Sequence, residues 1–259
     1  MRINTNIASL NAQRHLWNTS QSVNRSMERL SSGLRINRAA DDAAGLAISE
    51  GLKSDIRALT QASRNAADGV SMVQIAEGAM DEINSIVVRM RELAMQASTD
   101  TMGDTERGYL NDEYTALMEE INRISDSTEF NGINLLNGSV GDANIIVGLG
   151  TLPSDAITVD LSTDVDTSAG GLNLVATSVD TSANALAAVD EIEAAIGIVV
   201  TARASFGASQ NRLESAMRSI SNSIENLSAA NSRIRDADLA YETSVMTSKI
   251  GRASCRERV

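Results

Sequence analysis

Few residues of this 259-residue chain are equipped for chemistry. Histidine occurs once, at His15, two positions before Trp17, and cysteine occurs once, at Cys255. A nucleophile–base–orienter relay would have to recruit that one terminal histidine as its base. No second His or Cys is on hand to complete a tetrahedral metal site. The spacings HExxH and GxxxxGK[ST] are both absent, and "GVSMVQIAEG" has no phosphate-loop spacing. The adjacent acids Asp41 and Asp42 come closest to an acid–base pair. They precede an alanine-rich run, where short acidic side chains suit helix capping and turns better than proton transfer. The expectation is a protein that is not an enzyme and holds no cofactor and no metal.

The elements around these residues are helical. One proline, Pro153, and 2% aromatic residues leave long runs free of helix breakers and short of aromatic core. Val73, Ala76, Met80, Ile83, Val87, Met90, Ala94 and Ala97 repeat at strict intervals of three and four. Leu110, Tyr114, Leu117, Ile121 and Ile124 form a second seam after the turn residues of "STDTMGDTERG", where Asp104 or Thr105 is the expected N-cap, with Glu106 in the first turn. The longest seam is Val189, Ile192, Ile196, Val199, Phe206, Leu213, Met217, Ile220, Ile224, Leu227 and Ile234, passing through Arg203, Gln210 and Asn231. Near the N-terminus Leu16, Ser20, Val23, Met27, Leu30 and Leu34 keep the same spacing. Gly33 is placed to end that helix, and Asp41 or Asp42 to start the next, so residues 33–41 read as a joint. Its charges Arg35, Arg38, Asp41 and Asp42 are expected to be solvated.

Between about 130 and 182 the period falls to two, in "AITVDLS" and "GLNLVATSVD", with glycine punctuation: short strands and hairpins capping the helices. The fold class is therefore mainly α, a long antiparallel coiled-coil-like helical rod with a small β-hairpin insert. The net charge of −12 argues against nucleic acid and against docking on an anionic membrane. No stretch reaches the roughly 18 apolar residues of a membrane span, and the N-terminus has no apolar h-region of a secretory signal.

Several blocks carry a resemblance. "MRINTNIASLNAQRHL", "LSSGLRINRAADDAAGLAIS", "RMRELAMQASTDT", "STEFNGINLLNG" and "AANSRIRDADLAYETSVMTSK" are similar, in this order, to bacterial flagellin. The resemblance covers residues 1–138 and about 183–249. It implies a filament-core helix and joint (1–40), rod helices (41–130), a short variable β insert (131–182), a long C-terminal rod helix (183–234) and the start of a C-terminal core helix (235–249). It further implies self-polymerisation through terminal helices that fold on assembly, export without a cleaved signal, an extracellular location, and an export chaperone and a cap protein as partners. Recognition by the vertebrate Toll-like flagellin receptor is implied for Arg89, Leu93 and Glu113; the implied joint residues are Gly33, Arg35, Asn37, Asp41 and Asp42. A hook–filament junction protein is the alternative, disfavoured by the closeness of the blocks. The order of blocks also excludes a generic coiled-coil tether.

The final residues, 250–259, depart from the resemblance. "IGRASCRERV" carries three arginines and the one cysteine of an otherwise acidic chain, without an apolar stripe. Back-translated as ATC GGA AGA GCG TCG TGT AGG GAA AGA GTG, it reads as a common sequencing adapter. The expectation is a foreign tail on a truncated chain whose N-terminal core helix lacks its partner and which does not build a stable filament.

Overall fold

The computed structural model describes residues 6–150, 152–168 and 170–257, with side chains as far as Arg252; the Cys255 side chain lies outside them. Five α-helices dominate: α1 (Ile7–Ser32), α2 (Ala43–Ala97), α3 (Asp104–Ser127), α4 (Ser182–Arg235) and α5 (Leu239–Glu257). Between α3 and α4 lie four short strands, β1 (Glu129–Phe130), β2 (Ile133–Asn134), β3 (Ala143–Ile146) and β4 (Ala156–Val159). They form two separate antiparallel pairs, β1–β2 and β3–β4. Pro153 falls outside every α-helix, opening a 3₁₀ turn at Pro153–Asp155. The chain divides into two compact units: Met1–Ala58 with Asn222–Val259, and Leu59–Ser221.

The larger unit, Leu59–Ser221, holds the main core. Every residue of the expected α2 seam from Val73 to Ala97 is buried. Ion pairs Arg203–Asp81 (3.0 Å) and Arg91–Glu193 (3.5 Å) show that α4 runs antiparallel to α2. On α4 the buried face is rotated from the expected seam. Ile192, Val199, Phe206, Leu213 and Ile220 are buried, but so are Ala185, Ala188, Ala195, Ala202 and Ser209, whereas Val189, Ile196 and Met217 are half-buried. Small side chains at every third or fourth position let the helices come close, and a search for large apolar residues passes over them. On α3, Tyr114 and Ile121 are buried while Leu110, Leu117 and Ile124 pack at the edge. The N-cap of α3 is Gly103, not Asp104 or Thr105; it makes no side-chain cap, and Asp104 and Glu106 occupy the first turn as expected. Arg107 instead closes the preceding helix. Its Nε donates to Ala97 O (3.0 Å) and its Nη2 to Thr99 O (2.9 Å), supplying the donors that the last carbonyls of α2 lack.

The insert is less strand-like than its alternation suggests. "AITVDLS" does form β4, but residues 171–180 form no strand. Leu172, Leu174 and Val179 are buried with the helices, yet their backbone is satisfied locally and by side chains. Leu172 N–H donates to Asp166 O (2.7 Å), Leu174 N–H to Thr167 O (2.9 Å) and Val179 N–H to Asn111 Oδ1 (3.0 Å). Asn122 Oδ1 accepts from Thr167 N–H (2.9 Å), and the Tyr114 hydroxyl meets Thr177 Oγ1 at 2.7 Å. Asparagines on α3 thus peg an irregular strap along the helix, which makes the insert more than a cap. At β3–β4, Val147 N–H donates to Asp155 O (2.8 Å), closing a loop in which Leu149 and Leu152 are exposed. Gly69 of α2 lies under that hairpin. A Cβ there would press on Ile145 Cδ1 and stand 3.3 Å from Leu213 Cδ1, so β3 rests closely on α2 and α4 at this point.

In the smaller unit α1 packs along α5. The face of α1 that is covered centres on Ser26, with Ser22, Val23, Arg29 and Leu30 half-buried; Leu16 and Met27 of the expected seam point outward. α5 continues as helix through Glu257, past the expected break at Lys249. Over its described residues α5 packs along α1.

Candidate functional site

The first set of candidate residues is the joint, all of it in the smaller unit. Gly33 ends α1 with φ +70° and donates its N–H to Arg29 O (2.9 Å). That left-handed conformation costs a residue bearing a Cβ about 1–2 kcal/mol. Asp42 caps α2, accepting from Gly45 N–H at 2.9 Å. Asp41 closes the preceding turn by accepting from Arg38 N–H (3.1 Å) and Asn37 N–H (3.3 Å). Asn37 Nδ2 reaches back to Ser32 Oγ (2.8 Å). Ile36 is buried at the centre, 1% exposed.

A second joint, between α4 and α5, lies against the first. Arg35 N–H donates to Arg235 O (2.6 Å), and Ala237 N–H to Gly33 O (2.9 Å), an antiparallel bridge centred on Leu34 and Asp236. The Arg35 guanidinium reinforces it with Nη2 and Nε on Ile234 O, at 2.6 and 3.2 Å. Arg235 in turn pairs with Glu50 at 2.5 Å, and Arg29 with Glu242 at 2.8 Å, the latter carboxylate buried. The hydrogen bond from Arg235 is the main cause holding the Glu50 carboxyl below its ordinary pKa. Arg35, Arg38 and Asp41 are exposed and Asp42 half-buried, in line with solvated joint charges, but each is also engaged in hydrogen bonds, Arg38 with Glu28 at 2.9 Å. Sequence reasoning missed Arg29, Glu50, Arg235 and Glu242 because their partners lie across the chain, 185 residues apart for Arg235 and Glu50 and 213 for Arg29 and Glu242.

The second set lies in the larger unit. Arg89 of α2 and Glu113 of α3 meet on the surface, Nη2 to Oε1 at 2.8 Å and Nε to Oε1 at 2.9 Å. Glu92 accepts from Arg89 Nη1 at 3.0 Å. These bonds, Glu113 first, raise the guanidinium pKa. Leu93 does not share that surface. It is 0% exposed and belongs to the core, so the structure brings together two of the three residues as surface and places the third beneath. Among the described residues no group of His, Cys, Asp and Glu could hold a metal, and no helix is long and apolar enough to cross a membrane.

α1 and α5 also carry much exposed apolar surface. Ile7, Leu10, Leu16, Trp17, Met27, Leu239, Tyr241 and Ile250 are each 41–66% exposed.

Comparison with known proteins matches this arrangement at both ends of the chain. The model of the bacterial flagellin N-terminal helical region matches residues 3–140, and that of the C-terminal helical region matches residues 189–250. A flagellin of Halalkalibacterium halodurans is 48% identical over 93% of this chain and 88% of its own. The flagellin of Bacillus subtilis is 42% identical over 95% of this chain and 91% of its own. Among solved structures, Bacillus cereus flagellin is 29% identical, covers 65% of this chain and 94% of its own, and superposes with a TM-score of 0.54. With helices paired through two bridged joints and relatives of this identity over most of its length, the chain belongs to the bacterial flagellins, the structural subunits of the extracellular flagellar filament.

Proposed function

We propose that copies of this chain polymerise through α1 and α5, with the two bridged joints fixing how the terminal helices leave together. The observation that carries the reading is the exposed apolar surface of these two helices. Buried against neighbouring copies, each large apolar side chain contributes about 1.5–3 kcal/mol. One patch on a subunit meeting a different patch on the next gives a contact that does not close, and so an open helical filament. The pairing of Arg29 with Glu242 and of Arg35 with the Ile234 carbonyl supports ordering of both termini as one element. The test is seeded growth: purified chain added to short filament seeds, with filament length followed by electron microscopy. Because α5 packs along α1, elongation by the wild type is expected, in place of the non-assembling chain expected from the tail, with loss of elongation in a Leu10→Glu, Trp17→Glu variant. Absence of elongation by the wild type refutes self-sufficient assembly.

Three finer assignments belong to the same reading. An export chaperone and a cap protein are partners for the exposed terminal helices before and during assembly. The Arg89–Glu113 pair is the surface offered to the Toll-like flagellin receptor, with Leu93 shaping it from below. An Arg89→Glu, Glu113→Arg exchange that leaves receptor signalling intact in reporter cells excludes that surface. Residues 250–259 are of foreign origin, a reading supported by their composition; native codons beyond Lys249 in the source DNA decide it.

A further inference from the structure

We propose that Asn131 is a site of spontaneous deamidation in the folded protein, and that the structure protects the other Asn–Gly pair, Asn137–Gly138. Asn131 and Gly132 form the two-residue turn between the paired residues Phe130 and Ile133. Both have positive φ, 53° and 78°, the pattern of a type I′ hairpin turn. Both are exposed, and the space around Gly132 is open. Neither the Asn131 carboxamide nor the Gly132 N–H has a hydrogen-bond partner among the described residues. The hairpin is held by strands of two residues each, too short to resist fraying. When it opens, nothing on Gly132 obstructs the approach of its amide nitrogen to Asn131 Cγ.

In that reaction the Gly132 N–Cγ bond forms, the Cγ–Nδ2 bond breaks, and ammonia leaves with the proton. Solvent water then opens the cyclic imide at either carbonyl, giving aspartate or isoaspartate. Asn137 is differently held. Its Oδ1 accepts from Ser139 N–H (3.1 Å) and Oγ (2.6 Å), it bridges to Asp164, and the Val165 N–H bonds Leu136 O at 3.0 Å. The product at position 131 has a consequence for the fold. Asn131 lines a groove of about 350 Å³ shared with Asp68 and Gly69 of α2, so a new carboxylate there adds a second negative charge to the groove lining. The isoaspartate form also lengthens the turn backbone and removes the hairpin register.

The test incubates the full chain in mildly alkaline buffer and locates gains of one mass unit by tandem mass spectrometry. A parallel sample is held in denaturant. Expected is conversion at Asn131 at least about tenfold faster than at Asn137 in the folded chain, since two further hydrogen bonds must break before Asn137 can react. In denaturant the two rates converge. An unmodified Asn131 in folded protein, when the denatured chain has converted, overturns the proposal. So does equal reaction of both asparagines in the folded chain, or the same bias in denaturant. An Asn131→Gln variant, in which the five-membered imide cannot form, loses the signal.

Discussion

Replacing Leu93 with alanine separates a core residue from its surface neighbours Arg89 and Glu113, the pair proposed above as the receptor surface. Leu93 is fully buried among the packed residues of α2, α3 and α4. Truncating such a leucine costs about 3 kcal/mol, from lost transfer free energy and from the cavity left behind. In a unit the size of Leu59–Ser221, each kcal/mol lowers Tm by about 2–4 °C, so the expected drop is about 6–12 °C. Arg89→Ala and Glu113→Ala remove an ion pair whose side chains are 48% and 44% exposed. Such pairs contribute about 0–1 kcal/mol, which keeps these variants within about 4 °C of the wild type. Thermal unfolding followed by circular dichroism at a common salt concentration makes the comparison. A Leu93→Ala protein melting within about 2 °C of the wild type would refute the burial argument, because no well-packed leucine is lost that cheaply. If the drop is found, a loss of receptor response in Leu93→Ala above its lowered melting range reports unfolding, whereas a loss in Arg89→Ala reports a contact.

Three other outcomes follow from the geometry. Arg107→Ala should cost about 2–4 kcal/mol in urea unfolding, by stranding the Ala97 and Thr99 carbonyls, and Arg107→Lys should fall between because an ammonium cannot fork to both. Asp42→Ala should cost about 1 kcal/mol and speed hydrogen exchange at the first amides of α2, with little effect near Met80. Burial raises the Tyr114 phenol above its ordinary value of 10.0, opposed by the hydrogen bond with Thr177. The group is neutral in both states below that value, so its stabilisation is complete there. The unfolded chain ionises first as pH rises, so stability falls toward the folded pKa. Tyr114→Phe should flatten that fall in alkaline unfolding curves.

Much of the fold was legible in the sequence for a plain reason. The α2 seam is carried by large apolar residues at strict intervals, and a pattern of that kind has one way to bury itself. The cap at Gly33 was legible too, and that of α2 was narrowed to Asp41 or Asp42, because left-handed closure and N-capping depend on neighbours within a few residues. The strap at residues 171–180 was misread because alternation reports which side chains are buried, not what satisfies the backbone. Here Asn111 and Asp166 do the work of a neighbouring strand. The rotated face of α4 was missed because alanine carries a weak signal on its own. Leu93 was placed on the surface by resemblance, while its spacing from Met90 and Ala97 admits either side. The pairing of the two joints lies beyond local pattern, since Arg29 meets Glu242 from the far end of the chain.

The loop between β3 and β4 offers a use unrelated to motility. Its ends are tied by the Val147–Asp155 hydrogen bond, and Leu149 and Leu152 project from it into solvent. The closure entropy of a flexible loop grows slowly, about 0.6 kcal/mol for each doubling of length. A foreign peptide grafted at Gly148–Gly150 would therefore tax folding lightly while leaving the helical core untouched. Carried on every subunit of a polymer, it would become a dense, regularly spaced array, a scaffold for multivalent antigen display.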